Sequence, residues 1–164
     1  LGLRNASQVR DAYARVLAAA RQACPGAAVH GVSVQPMARS GTEVIVGMFK
    51  DPQFGPVLMF GLGGVFVEIL KDVAFRIAPI TKEEASDMIK EVKAYPLLKG
   101  YRNMPPADVN AILKILLDTS RLVTDCQEIK ELDLNPIMVY EKGAKTVDAR
   151  IILEAPSQPK TSRE

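Results

Sequence analysis

Glu131, Asp133 and Asn135 alternate with Leu132 and Leu134, so the strand period of two puts three oxygen-bearing side chains on one face. A hairpin closed by residues 141–144 would then set Tyr140 opposite Lys145 and Ile137 opposite Asp148. Asn135 becomes the diagonal neighbour of Asp148 on that face, and such neighbours lie roughly 7–8 Å apart. That leaves room for a hard cation held at about 2.1 Å by an oxygen from each side. One carboxylate and one amide make a weak site alone, which suits magnesium that also takes phosphate oxygens and water. The plainer alternative is a polar solvent face running into an Asn-Pro turn.

Gly61-Leu62-Gly63-Gly64 follows an apolar run and precedes Val65-Phe66-Val67-Glu68. Closely spaced glycines let backbone N–H groups turn toward a phosphate without interference from Cβ. No Gly-Lys-Ser/Thr follows and the spacing is not Gly-x-Gly-x-x-Gly, so neither phosphate motif is present. A tight turn packed in the core accounts for the same residues. His30 is the only histidine, which excludes a zinc site built on several and leaves Ser-His-Asp chemistry no other base. It has no Cys or Ser partner at motif spacing and reads as a structural or surface residue. Cys24 and Cys126 lack metal-site spacing and are too few for a disulfide framework.

The 164 residues, 48% of them hydrophobic, suffice for one core. Lys plus Arg is 21 against 19 for Asp plus Glu, with no basic stripe, so nucleic acid is not the expected partner. The longest apolar run, Val57 to Val67, is broken by glycines and falls short of the ~18–20 residues of a membrane helix. Leu1-Gly2-Leu3-Arg4 is not a signal peptide. A reduced, cytoplasmic domain without a membrane partner is expected.

Helical periodicity predicts helices over Ser7–Ala23, capped by Ser7, over Lys82–Ala94, and over Pro106–Leu122 with Pro106 in its first turn. Thr81-Lys82-Glu83-Glu84 is a capping box, and Pro96 is expected to stop the second helix. A strand is predicted through Val32 and Val34, breaking at Gln35-Pro36. Further strands are expected around Thr42–Phe49, Val57–Phe60, Val73–Ile77, Ile129–Asn135 and Lys145–Leu153, with Pro136 interrupting a continuation to Tyr140. Residues 1–154 form the domain, and the proline- and serine-rich segment 155–164 is expected to be disordered. Helices and strands mix without strict alternation, which predicts an α+β fold with a mainly antiparallel sheet and flanking helices.

Four segments carry a more specific signal: residues 31–37 (Gly-Val-Ser-Val-Gln-Pro-Met), 41–48 (Gly-Thr-Glu-Val-Ile-Val-Gly-Met), the long block 51–68, and 132–137 (Leu-Asp-Leu-Asn-Pro-Ile). Together they resemble the ATP-grasp domain of ADP-forming acyl-CoA synthetases, the acetate–CoA ligases related to succinyl-CoA synthetase. The resemblance runs from about Leu1 to Leu153 and implies the C-terminal part of that domain.

It also implies roles. Gln35, Pro36, Met37 and Ala38 match the hinge whose backbone reads the adenine edge, and Glu43 matches a carboxylate on the ribose hydroxyls, the alternative being an outward strand residue. Asn135 and Asp148 match the magnesium ligands, in agreement with the strand register. Asp133 falls where relatives carry a glutamate contacting a phosphohistidine, and Gly63, Gly64 and Glu68 match the glycine loop. Arg76 either neutralises developing phosphate charge or pairs with a carboxylate.

The implied reaction is acyl-CoA + ADP + phosphate ⇌ carboxylic acid + CoA + ATP. This part would transfer phosphate between the phosphohistidine and ADP, with ATP/ADP and Mg2+ as cofactors. Its implied partner is a CoA-binding, phosphohistidine-bearing domain or subunit, in an oligomeric assembly. Leu1-Gly2-Leu3 resembles the end of a family strand, so the expectation is a C-terminal piece that does not turn over alone. A non-catalytic ATP-grasp-like regulatory module of a multidomain protein acetyltransferase is the alternative.

Overall fold

The computed structural model describes residues 1–64, 67, 69–102 and 105–154, in two compact units, Leu1–Ala38 and Arg39–Glu164. The tail expected over 155–164 and the residue Glu68 lie outside the described residues. In the first unit the one regular element is α1 (Ala6–Ala23), capped by Asn5, whose side chain accepts the Gln8 N–H at 2.9 Å. The cap therefore starts two residues before the expected Ser7. No strand forms through Val32 and Val34; that stretch is unpaired among the described residues. An extended segment needs a neighbouring strand to satisfy its backbone, and this unit supplies none.

The second unit is built on β1 (Thr42–Asp51), β2 (Gly55–Leu62), β3 (Val73–Ile77), β4 (Ile129–Val139), β5 (Ala144–Thr146) and β6 (Ala149–Leu153). All pairings are antiparallel in the order β3-β2-β1-β4-β5, with β6 also on β4. With α2 (Lys82–Glu91), α3 (Tyr95–Leu98) and α4 (Val109–Asp125) this makes the expected mixed α+β fold. Alternation sends Val44, Val46, Met48, Leu58, Phe60, Leu132, Ile137 and Val139 to one face of the sheet. There they pack on Ala85, Met88 and Ile89 of α2 and Ile112, Leu116 and Val123 of α4. The opposite face carries Glu43, Gly47, Phe49, Phe75, Asp133 and Arg150 by register.

Helix boundaries follow their hydrogen bonds. The Thr81–Glu84 capping box forms in both directions, and the bonds from Thr81 hold the Glu84 carboxyl below its ordinary value. α2 ends at Glu91 rather than Ala94, because the buried Asp72 carboxylate accepts the Lys93 and Ala94 N–H groups, each at 2.8 Å. Those two donors are thereby drawn out of the helix ladder. Pro96 consequently opens α3 instead of stopping α2. α4 begins after Asp108, whose side chain accepts the Ala111 N–H at 3.1 Å, so Pro106 lies ahead of the helix and not in its first turn.

Candidate functional site

β4 is a central strand, yet it contains Pro136, which has no N–H to give a ladder. The chain accommodates it with a bulge. Val44 pairs with Ile137 and Val46 with Leu134, so Asn135 and Pro136 together stand opposite Ile45 alone. The Asn135–Pro136 peptide is cis. On the far edge of β4, the expected single strand splits into β5 and β6 at residues 147–148, level with the bulge. There the Val147 N–H donates to the Pro136 carbonyl at 2.9 Å and the Asn135 N–H to the Asp148 carbonyl at 3.2 Å.

The hairpin register differs from the expected one by two residues: Met138 faces Lys145, and Ile137 faces Thr146. A two-residue slip leaves every side chain on its original face. It brings Asn135 level with Asp148 instead of diagonal to it. Leu132 and Leu134 turn to the helices and Ala149 pairs with Leu134, so alternation puts Asp133, Asn135, Asp148 and Arg150 on the open face. Asn135 and Asp148 are exposed, and Asp148 Oδ1 accepts the Ala149 N–H at 3.0 Å. Two facing side chains with oxygen donors, one charged, fit a hard divalent cation. No group of three His, Cys, Asp or Glu side chains gathers for a metal among the described residues, so nucleotide phosphate and water would complete the coordination.

Asp133 stands between Gly47 on β1 and Arg150 on β6. The side chain of Met59 on β2 fills the space over the glycine, since a Cβ there would stand 3.2 Å from Met59 Cε. Arg150, which the sequence reading passed over, brings a cation to this face and meets Glu131 at 3.4 Å. Its signal was available: it lies two residues from Asp148, within the strand expected over Lys145–Leu153.

Glu43 and the glycine loop come together. The Gly63 N–H donates to the Glu43 carbonyl at 2.8 Å. A Cβ on Gly63 would stand 2.8 Å from Glu43 Cβ, and one on Gly64, where φ is +63°, would stand 4.0 Å from Glu43 Oε2. The loop thus packs directly on the carboxylate residue. Arg76 is not brought to this face. It stands opposite Leu58 on the helix side, donates to the Phe75 carbonyl and pairs with Glu91 of α2 at 2.6 Å. Gln35, Pro36 and Met37 are exposed and Ala38 half-buried in the first unit, without regular structure. His30 is exposed as well. A cavity of about 570 Å³ lined by residues that include Arg39, Thr42, Val139 and Tyr140 contains none of these candidates.

Residues 1–153 match the model of an ATP-grasp domain family. The chain belongs to the ATP-grasp family. It is 50% identical over 153 residues to the beta subunit of acetate–CoA ligase [ADP-forming] I from Pyrococcus furiosus, covering 93% of this chain and 66% of that subunit. Among solved structures, an acetyl-coenzyme A synthetase from Ca. Korarchaeum cryptofilum with coenzyme A and Ca-AMPCP superposes with a TM-score of 0.91 at 49% identity. That match covers 94% of this chain and 67% of the other. Another structure of that enzyme holds coenzyme A and Mg-AMPPCP, with its phosphohistidine segment pointing towards the nucleotide-binding site. It matches at a TM-score of 0.81 and 48% identity, over 93% of this chain and 66% of that one. The ATP-grasp chain described here thus spans about two thirds of the length of these relatives. Among its described residues, no helix is long and apolar enough to cross a membrane.

Proposed function

We propose that this chain is the nucleotide-binding part of an ADP-forming acid–CoA ligase, transferring phosphate between a phosphohistidine and ADP. The observation that carries the reading is the shared open face of β1, β4 and β6. It holds Glu43, Asp133 and Asn135, with Asp148 just ahead of β6, in a chain similar to the beta subunit of an ADP-forming acetate–CoA ligase. Glu43 would accept the ribose hydroxyls, and backbone groups of Gln35–Ala38 would read the base. Asn135 and Asp148 would hold magnesium, which when bound spreads the charge of the transferring phosphate. Asp133 would orient the incoming imidazole through its ring N–H, as the acid does in a catalytic triad. Arg76, committed to Glu91, is left out of the proposed machinery. The partner is a coenzyme A-binding, histidine-bearing domain or subunit, and the wider substrates are an acyl-CoA and its acid.

The test uses the complete protein, phosphorylated from acyl-CoA and labelled phosphate. Addition of ADP and magnesium should discharge the label into ATP. A phosphoprotein that ADP leaves intact, or no phosphorylation at all, overturns the proposal.

The packing of Gly63 on Glu43 yields a sharper expectation. In Gly63→Ala the new methyl must displace Glu43, since the contact lies well inside ordinary carbon separation and involves its Cβ. ADP affinity by titration calorimetry should fall about ten-fold, the scale of one hydrogen bond to a charged group. An unchanged affinity would remove Glu43 from the nucleotide site.

A further inference from the structure

The turn that sets the hairpin register is held from outside the sheet. Residues 140–143 close on themselves through the Tyr140 N–H, which donates to the Gly143 carbonyl at 3.0 Å, with Gly143 at a φ of +76°. Both ends of that turn are bound by one residue ahead of α4. The Asp108 N–H donates to the Tyr140 carbonyl at 2.7 Å, and Asp108 Oδ2 accepts the Gly143 N–H at 2.8 Å. Its other oxygen caps α4 through the Ala111 N–H. We propose that Asp108 is a positioning residue for the Asn135–Asp148 pair, locking the turn from which the register of β5 and β6 against β4 runs.

The need for such a lock follows from the strand it controls. β5 has only three residues in register with β4, and the bulge at Asn135-Pro136 interrupts the ladder immediately beyond. Hairpin register is set by the turn, and a slip of one residue sends each side chain to the other face. Here that would turn Asp148 away from Asn135. Asp108 is well placed to prevent it, because its own position is tied to the core. The Ala107 N–H donates to the carbonyl of buried Leu98, and α4 is anchored by Ile112 and Leu116. The bonds from Gly143 and then Ala111 also hold the Asp108 carboxyl below its ordinary value, so the acceptor stays charged.

The proposal rests on Asn135 and Asp148 being cation ligands, and the experiment separates the two ideas. Asp108→Asn keeps an oxygen for the Ala111 N–H, so the helix remains capped, but can turn an NH2 toward the Gly143 N–H. Asp108→Ser also caps and is too short to reach Gly143. In the complete protein, Mn2+ binding with ADP, followed by electron paramagnetic resonance, should weaken about ten-fold in both variants, as when a residue supporting a metal ligand is lost. ADP affinity without metal should not change. Amide exchange at Asn135 and Val147, whose N–H groups tie the two strands, should accelerate at least ten-fold while β1 and α4 stay protected.

Wild-type Mn2+ binding in both variants overturns the proposal, whatever exchange does. So does loss of protection through β1 and α4, which would make Asp108 a general support of the fold. Asp148→Asn run in parallel decides which idea has failed. If it too leaves Mn2+ binding intact, the ligand reading falls; if it abolishes binding while the Asp108 variants do not, only the positioning role falls.

Discussion

Asp148→Asn in the complete protein is expected to slow phosphoryl transfer to ADP by about 100-fold or more, while ADP binding weakens less than ten-fold. Asparagine keeps the size of the side chain and one oxygen but removes the charge. Asn135 and the new amide would then offer two neutral donors where the native pair offers one charged and one neutral. A hard cation is held chiefly by anionic oxygen, so the loss falls on the step where phosphate charge is redistributed. Base and ribose contacts, through Gln35–Ala38 and Glu43 in the proposed function, do not pass through Asp148 and would keep most of the ground-state affinity. Rapid-quench measurement of ATP formation, beside calorimetry with ADP, reads the two effects separately. Transfer at the native rate would show that this hairpin is not the cation site.

The faces of the sheet were legible because each side chain's place depends only on alternation. Glu131, Asp133 and Asn135 against Leu132 and Leu134 is such a case, and the two-residue error in register left it intact. Thr81 and Glu84 were legible for a similar reason: a capping box is closed within four residues. What the sequence hid is tertiary. Lys93 and Ala94 have helical neighbours, and only the distant Asp72 carboxylate explains why they leave α2. Asp108 precedes an apolar helical run and could have been read as its cap, but Pro106 offered a competing start. Its second bond, to Gly143, joins residues 35 apart and has no local signature. The split between β5 and β6 did have one, since Pro136 cannot feed a ladder on a central strand. The centrality of β4 was the missing fact.

Asp133→Asn should separate from Asp148→Asn in kind. ADP and Mn2+ should bind as in the native protein, because Asp133 is in neither proposed ligand set. Exchange of phosphate with the phosphohistidine should slow about 100-fold, a smaller loss than the ~10⁴-fold seen when the acid of a catalytic triad is made neutral. The geometry supports this division. Asp133 is half-buried on the open face, one alternation from Asn135, and stands opposite Gly47 on β1. Its β6 neighbour Arg150 is engaged with Glu131, so Asp133 keeps its carboxylate for another partner. The carboxylate would both hold the ring by its N–H and stabilise the positive charge the imidazole carries while it bears the phosphoryl group, the ring becoming neutral as that group passes to ADP. Asparagine can still accept that N–H bond but brings no charge. Asp133→Glu retains the charge with one more methylene and should recover much of the rate. Should Asp133→Asn exchange phosphate as fast as the native protein, or Asp133→Glu be no better than Asp133→Asn, the carboxylate charge is not what acts on the histidine.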